Sequence, residues 1–222
     1  MNIFSANSLL GRFLNLIGDL VILNILWIVF SLPIFTIGAS TTALFYSLMI
    51  RIRRDEGYVH TNFIKSFKQN FKQSTIIWII MVFILFILLF DYRIGIYLNS
   101  IGNKIAGSIF VVISIIFLIA YYLVITYIFP VQAKFENTIK NNFKNAFLMS
   151  IAHLGYTFLI FIITVSFILL SLASKAIIGI EIFLGMSLYA YLTSNIYIMV
   201  FRKHLPDEIE DDEEASGINN IY

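Results

Sequence analysis

The chain has 222 residues, 59% of them hydrophobic and 13% charged, with a mean hydropathy of +0.89 and a net charge of +2. Soluble domains carry about 25% charged residues, so the composition excludes an ordinary water-soluble domain. Cysteine is absent, which excludes disulfides, thiolate nucleophiles and cysteine metal sites.

Five stretches without a charge follow one another: 20–50 (31 residues), 74–90 (17), 105–131 (27), 145–174 (30) and 182–201 (20). A membrane-spanning helix needs about 20 mainly apolar residues, within a range near 17–25. The expected fold is therefore all-α, a polytopic membrane bundle of five or six transmembrane helices over 1–203, with the lipid bilayer as its first partner. A cleaved signal peptide fits the first stretch poorly. Arg12 is the basic residue ahead of it, Asp19 sits beside it, and it far exceeds a 7–15-residue signal core.

The first stretch poses the main topological question. Unbroken, 31 residues would make a helix about 46 Å long, which needs more tilt in a ~30 Å core than membrane helices usually adopt. Two passes fit if the first helix starts near Leu9. The spacing predicts helices over 9–32 and 39–54, with Pro33, Thr36, Gly38 and Ser40 building the turn between them. Proline disfavours helical geometry in Leu32, Gly38 tolerates unusual backbone angles, and Thr36 or Ser40 can cap the returning helix. The alternative is one helix kinked at Pro33, giving five spans. Arg12, Asn15 and Asp19 share one face of the first helix, a wet beginning, while Asn24 lies deeper on another face.

Next come Phe63, Phe67 and Phe71 at four-residue spacing, with Lys65, Lys68 and Lys72 on other faces. Such a stripe predicts a basic amphipathic helix over about 62–73, lying in the membrane interface with its lysines toward anionic lipid. A docking helix for a cytosolic partner has the same pattern. Four further spans are expected at about 74–92, 105–129, 146–172 and 178–201. Residues 68–75 (KQNFKQST) match 140–147 (KNNFKNAF) at four of eight positions, a weak internal repeat for which chance is the competing explanation. His153 and Asn195, like Asn24, are intramembrane polar candidates, because polar groups at that depth are costly. A lone histidine there more often serves as a helix–helix hydrogen-bonding residue.

Lys and Arg collect on the cytoplasmic side of membrane proteins. Segments 51–73 and 132–144 and the start of the tail carry eleven, against three for 91–104 and 175–181. The first group, with the C-terminus, is expected to face the cytosol. The tail, 204–222, holds seven acids within 207–214 and is expected to be a disordered cytosolic segment that folds back on the basic face.

The stretch 13–46 (FLNLIGDLVILNILWIVFSLPIFTIGASTTALFY), with EGY at 56–58 and FIKSFKQNFKQSTIIWII from Phe63, resembles the YesL-like family of bacterial membrane proteins. That resemblance is most specific over 13–80 and follows the hydropathy outline to about Phe201. It implies a domain of unknown function whose genes often sit beside sugar ABC transporters and polysaccharide-degrading enzymes in Gram-positive bacteria. It supplies no catalytic residues. The chain itself has no H-E-x-x-H, G-x-S-x-G or Walker A sequence, and the stretch 102–108 (GNKIAGS) lacks the required lysine. His60, His153 and His204 have no metal-ligand spacing, so no metal or cofactor is expected. The basic groups are juxtamembrane, which argues against nucleic acid. The expected function is a non-enzymatic accessory protein of carbohydrate uptake in the bacterial cytoplasmic membrane, acting on a carbohydrate ABC transporter complex. The alternative is a small-solute permease in its own right. Neither the sugar nor the oligomeric state is legible.

Overall fold

The computed structural model describes residues 9–54, 58–173 and 175–204; the acidic run of the tail and the start of the EGY stretch lie outside them. The described residues form seven α-helices and one short 3-10 turn, with no strand among them. The helices are α1 (Leu9–Ser31), α2 (Ile37–Arg54), α3 (Val59–Ser100), α4 (Lys104–Lys134), α5 (Ile139–Ala152), α6 (Leu154–Ala173) and α7 (Lys175–Arg202). Six of these, all but α5, are long and apolar enough to cross a membrane.

The α1–α2 connection is a hairpin rather than a kink. Pro33 is extended, and a single 3-10 turn over Ile34–Thr36 reverses the chain. The expected capping does not occur: the Thr36 hydroxyl donates to the carbonyls of Phe30 and Pro33, both at 2.6 Å. Ser40 lies inside α2, bonded to the Ser31 hydroxyl at 2.5 Å and to the carbonyls of Ile37 and Thr36. These side chains satisfy carbonyls, the groups left over where α1 stops. Gly38 is helical too, so its value there is space and not backbone freedom. A Cβ on it would meet the Ser74 carbonyl at 2.5 Å and the Trp78 Cβ at 2.6 Å.

α2 is the hub of the bundle, packed against α1, α3, α4 and α7. Its small and hydroxyl residues, Gly38, Ala39, Ser40, Thr41, Thr42, Ala43 and Ser47, are all buried. Lipid gives helices no hydrophobic reason to associate, so small residues that admit close backbone contact carry much of the packing. The hydroxyls bond back one turn, Thr42 to Gly38 and Ser47 to Ala43, each at 2.9 Å. Others bond outward: Thr42 meets Ser74 of α3 at 2.9 Å, and Trp27 of α1 donates to Thr41 at 3.1 Å. The residues that make α2 the least apolar span thus face protein.

α3 is one continuous helix of 42 residues, about 63 Å long, roughly twice the ~30 Å hydrocarbon core. The separate interfacial helix expected at 62–73 is its first part, and the span expected to end at 92 runs on to Ser100. Asp91 and Arg93 sit where α3 outlasts its apolar stretch. The turn to α4 takes only 101–103, with Gly102 at φ +92°, a left-handed conformation that favours glycine. Asn103 caps α4 by accepting from the Ala106 amide.

α4 continues five residues past the expected end, through Pro130. Proline has no N–H for the carbonyl one turn back, here that of Thr126. The hydroxyl of Tyr197 in α7 donates to that carbonyl at 2.7 Å, so the helix persists. The expected span 146–172 is two helices. α5 starts earlier, capped by the Thr138 hydroxyl, and stops at His153. There the Thr157 hydroxyl takes up the Ser150 carbonyl at 2.8 Å, and α6 leads away to pack on α7 and α5.

Candidate functional site

The densest polar cluster joins α3, α4 and α5. Gln132 of α4 donates to the Asn70 carbonyl oxygen at 2.9 Å, and its own oxygen accepts from the Asn142 amide. Asn70 donates in turn to the carbonyl and hydroxyl of Ser66 at 3.2 Å. Gln73 donates to the Asn137 backbone carbonyl at 2.5 Å. Asn142 is fully buried and its side-chain oxygen has no partner. Asn70 and Asn142 occupy equivalent places in the weak repeat, so the two copies meet on opposite ends of one amide. Amides neither titrate near neutrality nor act as nucleophiles. The cluster can fix three helices in register; it cannot transform a substrate.

Around it the predicted residues separate. Lys65, Lys68 and Lys72 are exposed on the first third of α3, and Lys140 and Lys144 are exposed on α5. The aromatic stripe does not face lipid as expected. Phe63 is fully buried, and the Phe63 and Phe67 rings lie 5.6 and 4.7 Å from Phe30 of α1, edge to face. Only Phe71 of the three is exposed. A four-residue stripe signals a buried face, and sequence alone does not say whether protein or lipid buries it.

Asn24 clamps α7. Its amide donates to the Ile182 carbonyl at 2.7 Å, and its oxygen accepts from the Ser187 amide at 3.0 Å. Both partners belong to the backbone ladder of a helix. α7 is deformed there: a Cβ on Gly185 would lie 2.9 Å from the Glu181 Cβ, against about 5–6 Å for side chains one helical turn apart. A polar side chain inserted into the ladder is a recognised cause of such a bend. Glu181, near the start of the expected span 178–201, sits in this turn of α7 and accepts from the Ser171 hydroxyl of α6 at 2.7 and 2.8 Å.

His153 is not deep within a helix. It caps α5 at the break before α6, with the His204 ring at 5.3 Å and the Tyr156 ring at 6.2 Å. Burial, followed by the nearby His204 and Lys203 charges, holds its pKa below the usual histidine value. Asn195 is exposed and donates to the Tyr191 carbonyl at 2.7 Å. Asp19, read as the wet start of α1, instead pairs with Arg51 of α2 at 2.6 Å, with side chains only 13% and 10% exposed. Among the described residues, no group of three His, Asp or Glu side chains is placed to hold a metal ion. An apolar groove of about 420 Å³ opens between α4 and α6, lined by Ile115, Tyr122, Thr157 and Phe161 among others.

Six candidate spans, packed about the polar but internally bonded α2 that is one of them, define a multi-pass α-helical membrane protein. The family described as "Protein of unknown function, DUF624" matches residues 20–92, the stretch from mid-α1 through α2 into α3. The chain is also 26% identical to the uncharacterized protein YesL of Bacillus subtilis (strain 168) over 218 residues, 96% of this chain and 99% of that one. The chain is thus similar to YesL along nearly its whole length and, over residues 20–92, to a family of unknown function. No solved structure matches it.

Proposed function

We propose that the chain is a non-enzymatic accessory protein of carbohydrate uptake, seated in the bacterial cytoplasmic membrane with its C-terminus in the cytosol. The observation that carries this is the filled centre of the bundle. A permease needs a polar, water-accessible path between its helices. Here the polar side chains of α2 spend their hydrogen bonds on backbone carbonyls one turn back and on α1 and α3, and Gly38 admits α3 to backbone contact. What the molecule offers outward is a basic end, with Lys65, Lys68 and Lys72 exposed on the first third of α3 and Lys140 and Lys144 exposed on α5. This suits a transport complex with an acidic cytosolic surface. The carbohydrate setting rests on the YesL-like resemblance, and the placement of the C-terminus on the surplus of basic residues in alternate loops.

The deformed turn of α7 favours a second reading, a small-solute permease. Deformed helices with polar inserts line the substrate sites of many transporters, and Asn24, Glu181 and Gly185 form such a place. Two measurements on one preparation separate the readings. The accessory reading expects the membrane subunits of a carbohydrate ABC transporter to co-purify with the tagged chain after crosslinking in native membranes. It also expects vesicles holding the purified chain alone to take up labelled sugar no faster than protein-free vesicles. Facilitated uptake by the chain alone, with no transporter subunit co-purifying, overturns it in favour of the permease.

A further inference from the structure

We propose that the cavity between the start of α1 and the end of α2 binds a phosphate group, that of an acidic phospholipid headgroup. This stands apart from the carbohydrate reading and uses none of its residues. The cavity, about 250 Å³, is lined by Arg12, Phe13 and Leu16 of α1, Arg51 and Ile52 of α2 and Tyr191 of α7. Two guanidiniums on different helices therefore border one space. Arg51 is held in place by its Nε bond to Asp19 at 2.6 Å, and that carboxylate balances one of the two positive charges. The balance left is positive, which suits the negative charge of a phosphodiester.

Position points to the same ligand. The candidate spans Leu10–Ser31 and Ile34–Arg53 both terminate at the two arginines, while Tyr191 stands about midway along the span of α7, Ile177–Arg202, so the cavity runs inward from those span ends. Arginine presents planar N–H donors that match phosphate oxygens, and basic pockets between membrane helices commonly hold lipid headgroups. Beside the cavity Phe13 is 56% exposed and Leu14 52%, apolar surface along which acyl chains can lie. Tyr191 forms the third wall and brings a phenol able to donate.

The test uses the full chain, delipidated in a neutral detergent, with binding followed by native mass spectrometry. Phosphatidylglycerol should bind more tightly than phosphatidylcholine, and Arg12→Gln should weaken its binding roughly tenfold, the loss of one charge-assisted contact. Arg12 is exposed, so this change leaves the fold intact, and Arg12→Lys should recover part of the affinity. Arg93→Gln, on α3, serves as a charge-matched control. Competition by inorganic phosphate at similar concentration would identify a free phosphate as the ligand; no competition would identify the lipid. Equal binding of the two lipids, or Arg12→Gln behaving like Arg93→Gln, overturns the proposal.

Discussion

Asn70 and Asn142 stand 72 positions apart and hold the two ends of one side chain, the amide of Gln132. Their segments are the two copies of the short repeat, and both lead into helices of the bundle. Gln132→Leu removes both bonds at once and takes the partner from the Asn70 side-chain oxygen and from the amide of the fully buried Asn142. An unsatisfied buried polar group costs about 1–3 kcal/mol. The variant should therefore melt several degrees lower in detergent. Asn70→Ala and Asn142→Ala should be non-additive with it, as expected for residues sharing one network.

Tyr197 and Pro130 form a second coupled pair. The Tyr197 hydroxyl replaces the bond that Pro130 cannot make to the Thr126 carbonyl. Tyr197→Phe should destabilise by about 1 kcal/mol. In a Pro130→Ala background the restored backbone N–H can bond Thr126, and the same change should cost measurably less. Equal costs in both backgrounds would show that the hydroxyl is not compensating for the proline.

Gly38 and Gly155 offer a contrast within one fold. Adding a Cβ at Gly38 drives it into backbone of α3, whereas at Gly155 nothing lies within 4 Å. Gly38→Ala should destabilise by about 1–3 kcal/mol through overpacking. Gly155→Ala should be neutral or stabilise by up to about 1 kcal/mol through helix propensity. Thermal unfolding of the two variants side by side checks this.

The hairpin predicts a sharp accessibility pattern. Leu32, Pro33, Ile34 and Phe35 are exposed, whereas Thr36 and Ser40 are buried. Single cysteines at 32–35 should react on intact cells with an impermeant thiol reagent, and cysteines at 36 and 40 should resist it. Uniform silence at 32–35 would place the turn on the other side of the membrane.

How much of this was legible in the sequence depends on what kind of signal each residue leaves. Long uncharged runs disclose a membrane bundle because lipid excludes charge, and helix length against bilayer thickness favours the hairpin at Pro33. Continuity is harder to read. Lys65, Lys68 and Lys72 suggest a break from the following span, yet charges can stand on a helix that extends beyond the hydrocarbon. Phe63 and Phe67 form an apolar stripe whether lipid or Phe30 covers it. Pro130 reads as a stop because its rescuer, Tyr197, lies 67 positions later. Asn24 reads as an intramembrane polar residue, but its partners are backbone groups of α7, which leave no trace in side-chain pattern. His153 and His204 meet because the α5–α6 break and the end of α7 come together in the fold.

The central claim, an accessory role in carbohydrate uptake exerted through the basic end of α3 and α5, has one direct measurement. Uptake of a labelled oligosaccharide is followed in the native host, with the gene deleted and then restored. The account predicts that deletion lowers the initial uptake rate several-fold and that the wild-type chain restores it. A chain carrying Lys65→Glu, Lys68→Glu and Lys72→Glu, equally abundant in the membrane, should fail to restore it. Uptake that is unchanged by deletion, or fully restored by the charge-reversed chain, would contradict the account.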